Sequence, residues 1–243
     1  MTNDLLEIDF AILCSEGDIS KVKLFYAENQ KINLRANHEC AFRLSCKNGH
    51  LHIAQWLWNV SKEKIKIETY HYFAFRKACK NGHLNTALWI RQIGGADAVV
   101  ENSYSFRKAC SRGHLILAKW IFQTFRNIKI HDQNFYAFRF AAINGHFNVV
   151  KWLFSLDGKI SREFTLVLWQ DLFCQICENG HSEIAKWIFE TSGRKIDIRI
   201  YIDYPFRMAC INNHNEVAKW LSTLCGSYQF QIENDRIINF FIK

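Results

Sequence analysis

Apolar side chains recur along this chain in short bursts. Each burst covers about two helical turns and is cut by a polar break containing glycine. With the glycine of each break as origin, the breaks stand at Gly17, Gly49, Gly82, Gly113, Gly145, Gly180 and, degenerately, Asn213. Successive gaps are 32, 33, 31, 32, 35 and 33 residues. Seven residues before each origin is Phe: Phe10, Phe42, Phe75, Phe106, Phe138, Phe173 and Phe206. Three before it is Cys (Cys14, Cys46, Cys79, Cys110, Cys177, Cys210), with Ala142 in the remaining unit. These two positions and the small residue between them fall on one face at helical spacing. Five after the origin is Ala or Val, seven after is Trp in six units (Leu24 in the first), and eight after is always apolar. That is a second helical stripe.

Each unit therefore predicts two short helices separated by Asn-Gly-His, where glycine takes the left-handed conformation that ends a helix. Neither helix is long enough to be stable alone, so units must stack to bury both stripes. The spacing places the indoles on the buried stripe of the second helix, as core residues. Between units lie β-prone pieces such as Lys64-Ile65-Lys66-Ile67, Asn127-Ile128-Lys129-Ile130 and Lys195-Ile196-Asp197-Ile198. These predict turn-like or briefly extended connectors projecting beside the helices. The sixth unit, with Cys174 in the arginine column, Ile176 at the small position and the longest gap, predicts the least regular connector, from Asp157 to Gln170.

The period, the Gly-His turn followed by Leu, and the Ala-Lys-Trp-Leu run resemble ankyrin repeats. The resemblance covers nearly the whole chain. It implies an all-α, ankyrin-type solenoid of about seven helix-turn-helix repeats joined by short hairpin-like loops. The expected layout is a single solenoid over 1–243: an N-terminal cap repeat at 1–30, six central repeats at 31–225 and a partial C-terminal cap at 226–243. In that cap, Ile237, Ile238, Phe240 and Phe241 would supply half a unit. One departure is consistent: ankyrin units usually open Thr-Pro-Leu-His, whereas these open Ala41-Phe42-Arg43 or Ala74-Phe75-Arg76. This dialect is similar to that of ankyrin proteins of large amoeba-infecting DNA viruses. The usual Thr–His hydrogen bonds must be replaced, and the arginine column is expected to replace them by reaching carbonyls of an adjacent connector.

Charge adds a partner class. Lys plus Arg outnumber Asp plus Glu by 31 to 23, a net +8 that suits an acidic partner without specifying one. In ankyrin proteins the first helices and connectors line a concave binding surface. By that resemblance Arg43, Lys47, Arg76, Lys77, Lys80, Arg107, Lys108 and Arg112 would form a positive stripe. The second-helix lysines (Lys119, Lys151, Lys186, Lys219) would face outward and serve solubility.

Tempting chemistry is present in the Cys and His four residues apart, as at Cys46/His50 or Cys110/His114. A zinc site needs two such pairs converging, and a metal would not need five copies, so the packing reading is preferred. No G-x-S-x-G, P-loop or H-E-x-x-H pattern occurs. The expected function is a non-enzymatic protein-binding scaffold with no cofactor and no metal, its partner a host or viral protein. Nucleic-acid or acidic-partner binding through the basic stripe is the alternative. Nine cysteines, no secretory leader and no run of apolar residues long enough for a bilayer predict an intracellular, cytoplasmic monomer, neither secreted nor membrane-bound.

Overall fold

The computed structural model describes residues 3–61, 65–94, 99–125, 128–156, 158, 160 and 163–243. Lys64, Asn127 and part of the Asp157–Gln170 connector lie outside the described residues. The chain forms two compact units, Met1–Lys129 and Ile130–Lys243.

The first unit holds α1 (Asn3–Glu16), α2 (Ile19–Glu28), α3 (Ala36–Lys47), α4 (Leu51–Val60), α5 (Thr69–Lys80), α6 (Leu84–Gly94), α7 (Val99–Ser111) and α8 (Leu115–Thr124). The second holds α9 (Asp132–Ile143), α10 (Phe147–Ser155), α11 (Leu166–Glu178), α12 (Ser182–Thr191), α13 (Ile200–Ile211) and α14 (Asn215–Leu224), then strands β1 (Tyr228–Glu233) and β2 (Arg236–Ile242). The architecture is the expected all-α stack of helix pairs, with one β-hairpin added.

The phenylalanine column forms the core: all seven rings are at most 2% exposed. The small residue five after the glycine is fully buried in every unit, and the apolar residue eight after it is buried from Leu57 onward. Within a unit, neighbouring first helices (α1–α3, α3–α5, α5–α7; α11–α13) pack more closely than neighbouring second helices do.

The tryptophans differ from expectation. Trp56, Trp89, Trp120, Trp152, Trp187 and Trp220 are half-buried, not core. Trp56, Trp89, Trp120, Trp187 and Trp220 lie where two helix pairs meet. The Trp89 ring sits 6.0 Å from Phe42, Trp120 6.4 Å from Phe75, and Trp220 6.1 Å from Phe173 of the preceding pair. The stripe is slightly wider than the buried seam, so the large indole at its edge covers the phenylalanine beneath with one face and meets water with the rest.

First helices from α3 onward end in the same way. Gly49 N–H donates to the Cys46 carbonyl and His50 N–H to that of Ser45, the Schellman pattern, with Gly49 at φ +79°. Histidine then does something not apparent from one unit alone. The His50 ring bonds the Ser15 carbonyl of the preceding pair at 3.0 Å, and Asn48 Nδ2 donates to the same oxygen at 2.8 Å. Asn212 and His214 likewise converge on the Glu178 carbonyl, both at 2.9 Å. The His114 ring reaches the Lys80 carbonyl and the His181 ring that of Ile143. The ring also lies flat against the preceding glycine: a Cβ on Gly49 would stand 2.4 Å from His83, and one on Gly82 2.6 Å from His114. Asn-Gly-His is thus a stitch between helix pairs as well as a turn.

The two degenerate anchors follow from this. Asp18, in the first pair, caps its own helix by accepting from the Ser20 and Lys21 N–H groups. Asn213 takes glycine's place at φ +59°, and its side chain accepts from Ile237 N–H of the hairpin.

Arg43, Arg76 and Arg207 of the arginine column bond carbonyls, but those of their own helix's opening turn and not of an adjacent connector as expected. Residues 37–39, 70–72, 133–135 and 201–203 are left-handed, an unfavourable conformation for non-glycine residues. Arg43 donates to the His38 and Asn37 carbonyls (2.7 and 3.0 Å), Arg76 to that of Tyr70 (2.9 Å) and Arg207 to that of Ile202. Where arginine is missing, at Ala11 and Cys174, the helix has no such turn, and α11 is instead capped by Thr165.

The connectors do not project as expected. Ile32, Leu34, Ile65, Ile67, Ile130 and Ile196 are buried, so the I-x-I alternation drives these segments inward without strand pairing. Trp169, expected in an irregular connector, is a buried residue inside α11.

Residues 228–242 correct the expected half-unit. They form an antiparallel hairpin turning at Asn234-Asp235, both left-handed, the geometry that two-residue hairpins favour. Strand-prone side chains on both arms and an Asn-Asp turn outweigh helix formation. Tyr228 stacks on Phe206 at 4.2 Å, and its hydroxyl donates to Asp203 at 2.6 Å.

Candidate partner-binding face

The residues expected to form a cationic stripe belong to the first unit, on α3, α5 and α7, with Arg112 in the turn just after α7. These helices place it because every seventh residue, and the residues three and four apart between them, repeat on one face. Its members have unequal roles. Arg43 and Arg76 spend donors on the left-handed turns, and Arg107 is buried in α7. Lys47, Lys77, Lys80 and Lys108 are half-buried and Arg112 is exposed.

Sequence reading did not anticipate the aromatic layer beneath them. The Arg43 guanidinium lies 4.7 Å from the Tyr70 ring centre and 5.0 Å from Phe73, while Lys77 Nζ lies 5.1 Å from the same Phe73. Arg76 and Lys108 share Tyr104 at 5.2 and 5.7 Å. The Lys77 and Lys108 ammonium groups thus lie over ring faces. The available signal was an aromatic four residues before each lysine, Phe73/Lys77 and Tyr104/Lys108, which is one helical turn.

The electrostatics are those of crowded like charges. Burial lowers the Lys77 ammonium below its ordinary value, and Lys80, Lys47, Arg76 and Lys108 lower it further. That crowding disfavours the isolated protein.

The cysteine–histidine pairs separate in space. Cys46, Cys79, Cys110, Cys177 and Cys210 point into the core, and burial raises every one of their thiols, Cys210 to about 12. The His50, His114, His181 and His214 rings face the preceding turn instead. Among the described residues no three His, Cys, Asp or Glu converge as a metal site. The lysines of the second-helix column (Lys119, Lys151, Lys186, Lys219) are exposed. No described helix is long and apolar enough to cross a membrane.

Comparison with known proteins bears on the frame and not on the ligand. The family model described as "Ankyrin repeats (many copies)" matches residues 106–154. No curated protein sequence matches the chain. Among solved structures, the human ASB11 ankyrin repeat domain aligns with a TM-score of 0.56 at 16% identity, covering 87% of this chain and 96% of that one. With the periodic helix pairs above, these matches establish the fold of this chain as that of an ankyrin-repeat domain.

Proposed function

We propose that the chain is a non-enzymatic scaffold that holds an acidic protein partner against the first-helix face and adjoining loops of its first unit. Ankyrin repeats generally serve as protein-interaction modules, and the supporting observation here is the crowded row of Lys47, Lys77, Lys80 and Lys108. Clustering like charges over half-buried rings costs stability in the free protein, and an anionic partner reverses that cost. The periodic side chains are occupied by packing and stitching, which leaves none of them for catalysis. Nine unpaired thiols favour a reducing cytosol, and the Ala-Phe-Arg dialect favours a large DNA virus as source, with a host or viral protein as partner. We read the chain as a monomer.

The test is crosslinked affinity capture from cell lysate with wild type and a Lys47→Glu/Lys77→Glu/Lys108→Glu variant, folding being checked by circular dichroism. A partner held by wild type and lost from the variant supports the proposal; equal recovery removes it. A mobility shift with single-stranded DNA at low salt, lost in the same variant, would assign the row to nucleic acid instead.

A further inference from the structure

In the first helices of the unit Met1–Lys129 the positions nine and five residues before the glycine stay partly or fully exposed; in α3 they are the half-buried Cys40 and Leu44. They are one turn apart and share a face. In α1 they are Ile8 and Ile12, which are 46% and 50% exposed. In α5 and α7 they are Phe73 with Lys77 and Tyr104 with Lys108, each lysine laid over its aromatic ring. Because α1, α3, α5 and α7 pack on one another in order, this row changes character along the stack, from apolar at α1 to cationic over aromatic at α5 and α7. The same positions in the second unit carry no lysine: they are Tyr136 and Phe140, Asp171 and Gln175, Tyr204 and Met208.

From this gradient we infer that the row is a two-part docking face for an acidic segment of another protein that carries apolar side chains at one end. The apolar end covers Ile8 and Ile12, and the carboxylates meet Lys77 and Lys108. Helix axes about 8–10 Å apart put α1 about 30 Å from α7, the reach of about nine extended residues. A nucleic acid would use the cationic part alone, since phosphates gain nothing from two exposed isoleucines. The inference rests on the scaffold reading and specifies its partner.

The experiment uses the whole chain and labelled peptides of about twelve residues, long enough for that span. One peptide has Leu and Phe at one end and Asp and Glu at the other, prepared in both orders. A second has Ser for the apolar residues, and a third has Asn and Gln for the acids. The first is expected to bind at least about tenfold more tightly than either control. Ile8→Ser/Ile12→Ser should erase the difference from the serine peptide, and Lys77→Gln/Lys108→Gln the difference from the amide peptide. All four positions are at the surface, and thermal melts check that each variant folds. Equal binding of the first and second peptides overturns the two-part face, as does displacement of the first by a single-stranded oligonucleotide of equal length. If lysate capture yields a partner lost on lysine reversal whose crosslinked segment is not acidic, the scaffold reading stands and this inference falls. If no partner is captured and none of the peptides binds, the scaffold reading and this inference fall together.

Discussion

Replacing Gly82 by alanine tests the stitch between helix pairs. Gly82 sits at φ +83°, and a Cβ there would lie 2.6 Å from the His114 ring. The left-handed conformation alone costs a residue with a Cβ about 1 kcal/mol. The ring must also retreat by roughly 0.8 Å to restore ordinary contact at 3.4 Å, which breaks its 3.1 Å bond to the Lys80 carbonyl. Losing that bond leaves a part-buried carbonyl unsatisfied and adds about 2 kcal/mol. Gly82→Ala should therefore cost about 3 kcal/mol, a fall of roughly 1.5 M in the urea midpoint for a typical slope near 2 kcal/mol/M. In a His114→Ala background the ring is gone, and the same substitution should cost only about 1 kcal/mol. A double-mutant cycle should then return about 2 kcal/mol of coupling, with the double variant more stable than the sum of the singles. Additivity within about 0.5 kcal/mol would refute the stacking argument, leaving glycine there for its backbone freedom alone.

Four further outcomes follow from the packing. Burial holds His83, His114 and His181 below their ordinary value, partly opposed by their carbonyl bonds, so the unfolded chain binds more protons as pH falls. Their contribution is complete above about pH 6.5 and declines below it; the melting temperature should drop as pH falls from about 6.5 to 5.5, and His114→Gln should flatten that slope. Phe75→Ala should cost about 3–5 kcal/mol in chemical denaturation and Trp120→Ala about half as much, since the indole is only half-buried; equal losses would contradict the edge placement. Tyr228→Phe leaves the buried Asp203 without a 2.6 Å donor, should cost about 1–3 kcal/mol, and should raise amide exchange in residues 228–242 ahead of the rest. A thiol reagent should label Cys40 and Cys225 promptly and reach the seven buried cysteines only on unfolding, because Cys14, Cys174 and Cys210 are pushed up to about 12 and the others are also raised.

What the sequence determined by itself is the frame. A residue type repeated at one place in seven units reports a recurring environment, and phenylalanine, cysteine, alanine and glycine each have few environments in which they are irreplaceable. Helix pairs, their turn and the buried phenylalanine column were legible for that reason, as was a set of basic residues on the first helices. Only tertiary structure decided what depends on the neighbouring pair. The His114 ring acts on Gly82 and on the Lys80 carbonyl, more than thirty residues earlier, and no spacing within one unit reveals that. The tryptophans sit at the edge of the seam because the exposure of a stripe's outermost position depends on how closely successive pairs pack. Arginines in one column divide between bracing a turn, being buried, and crowding against lysines, since a side chain with five donors takes the acceptor that the fold brings within reach. The hairpin at Tyr228 likewise forms against Phe206 and Asp203, two groups that become its partners only once the last helix pair has formed.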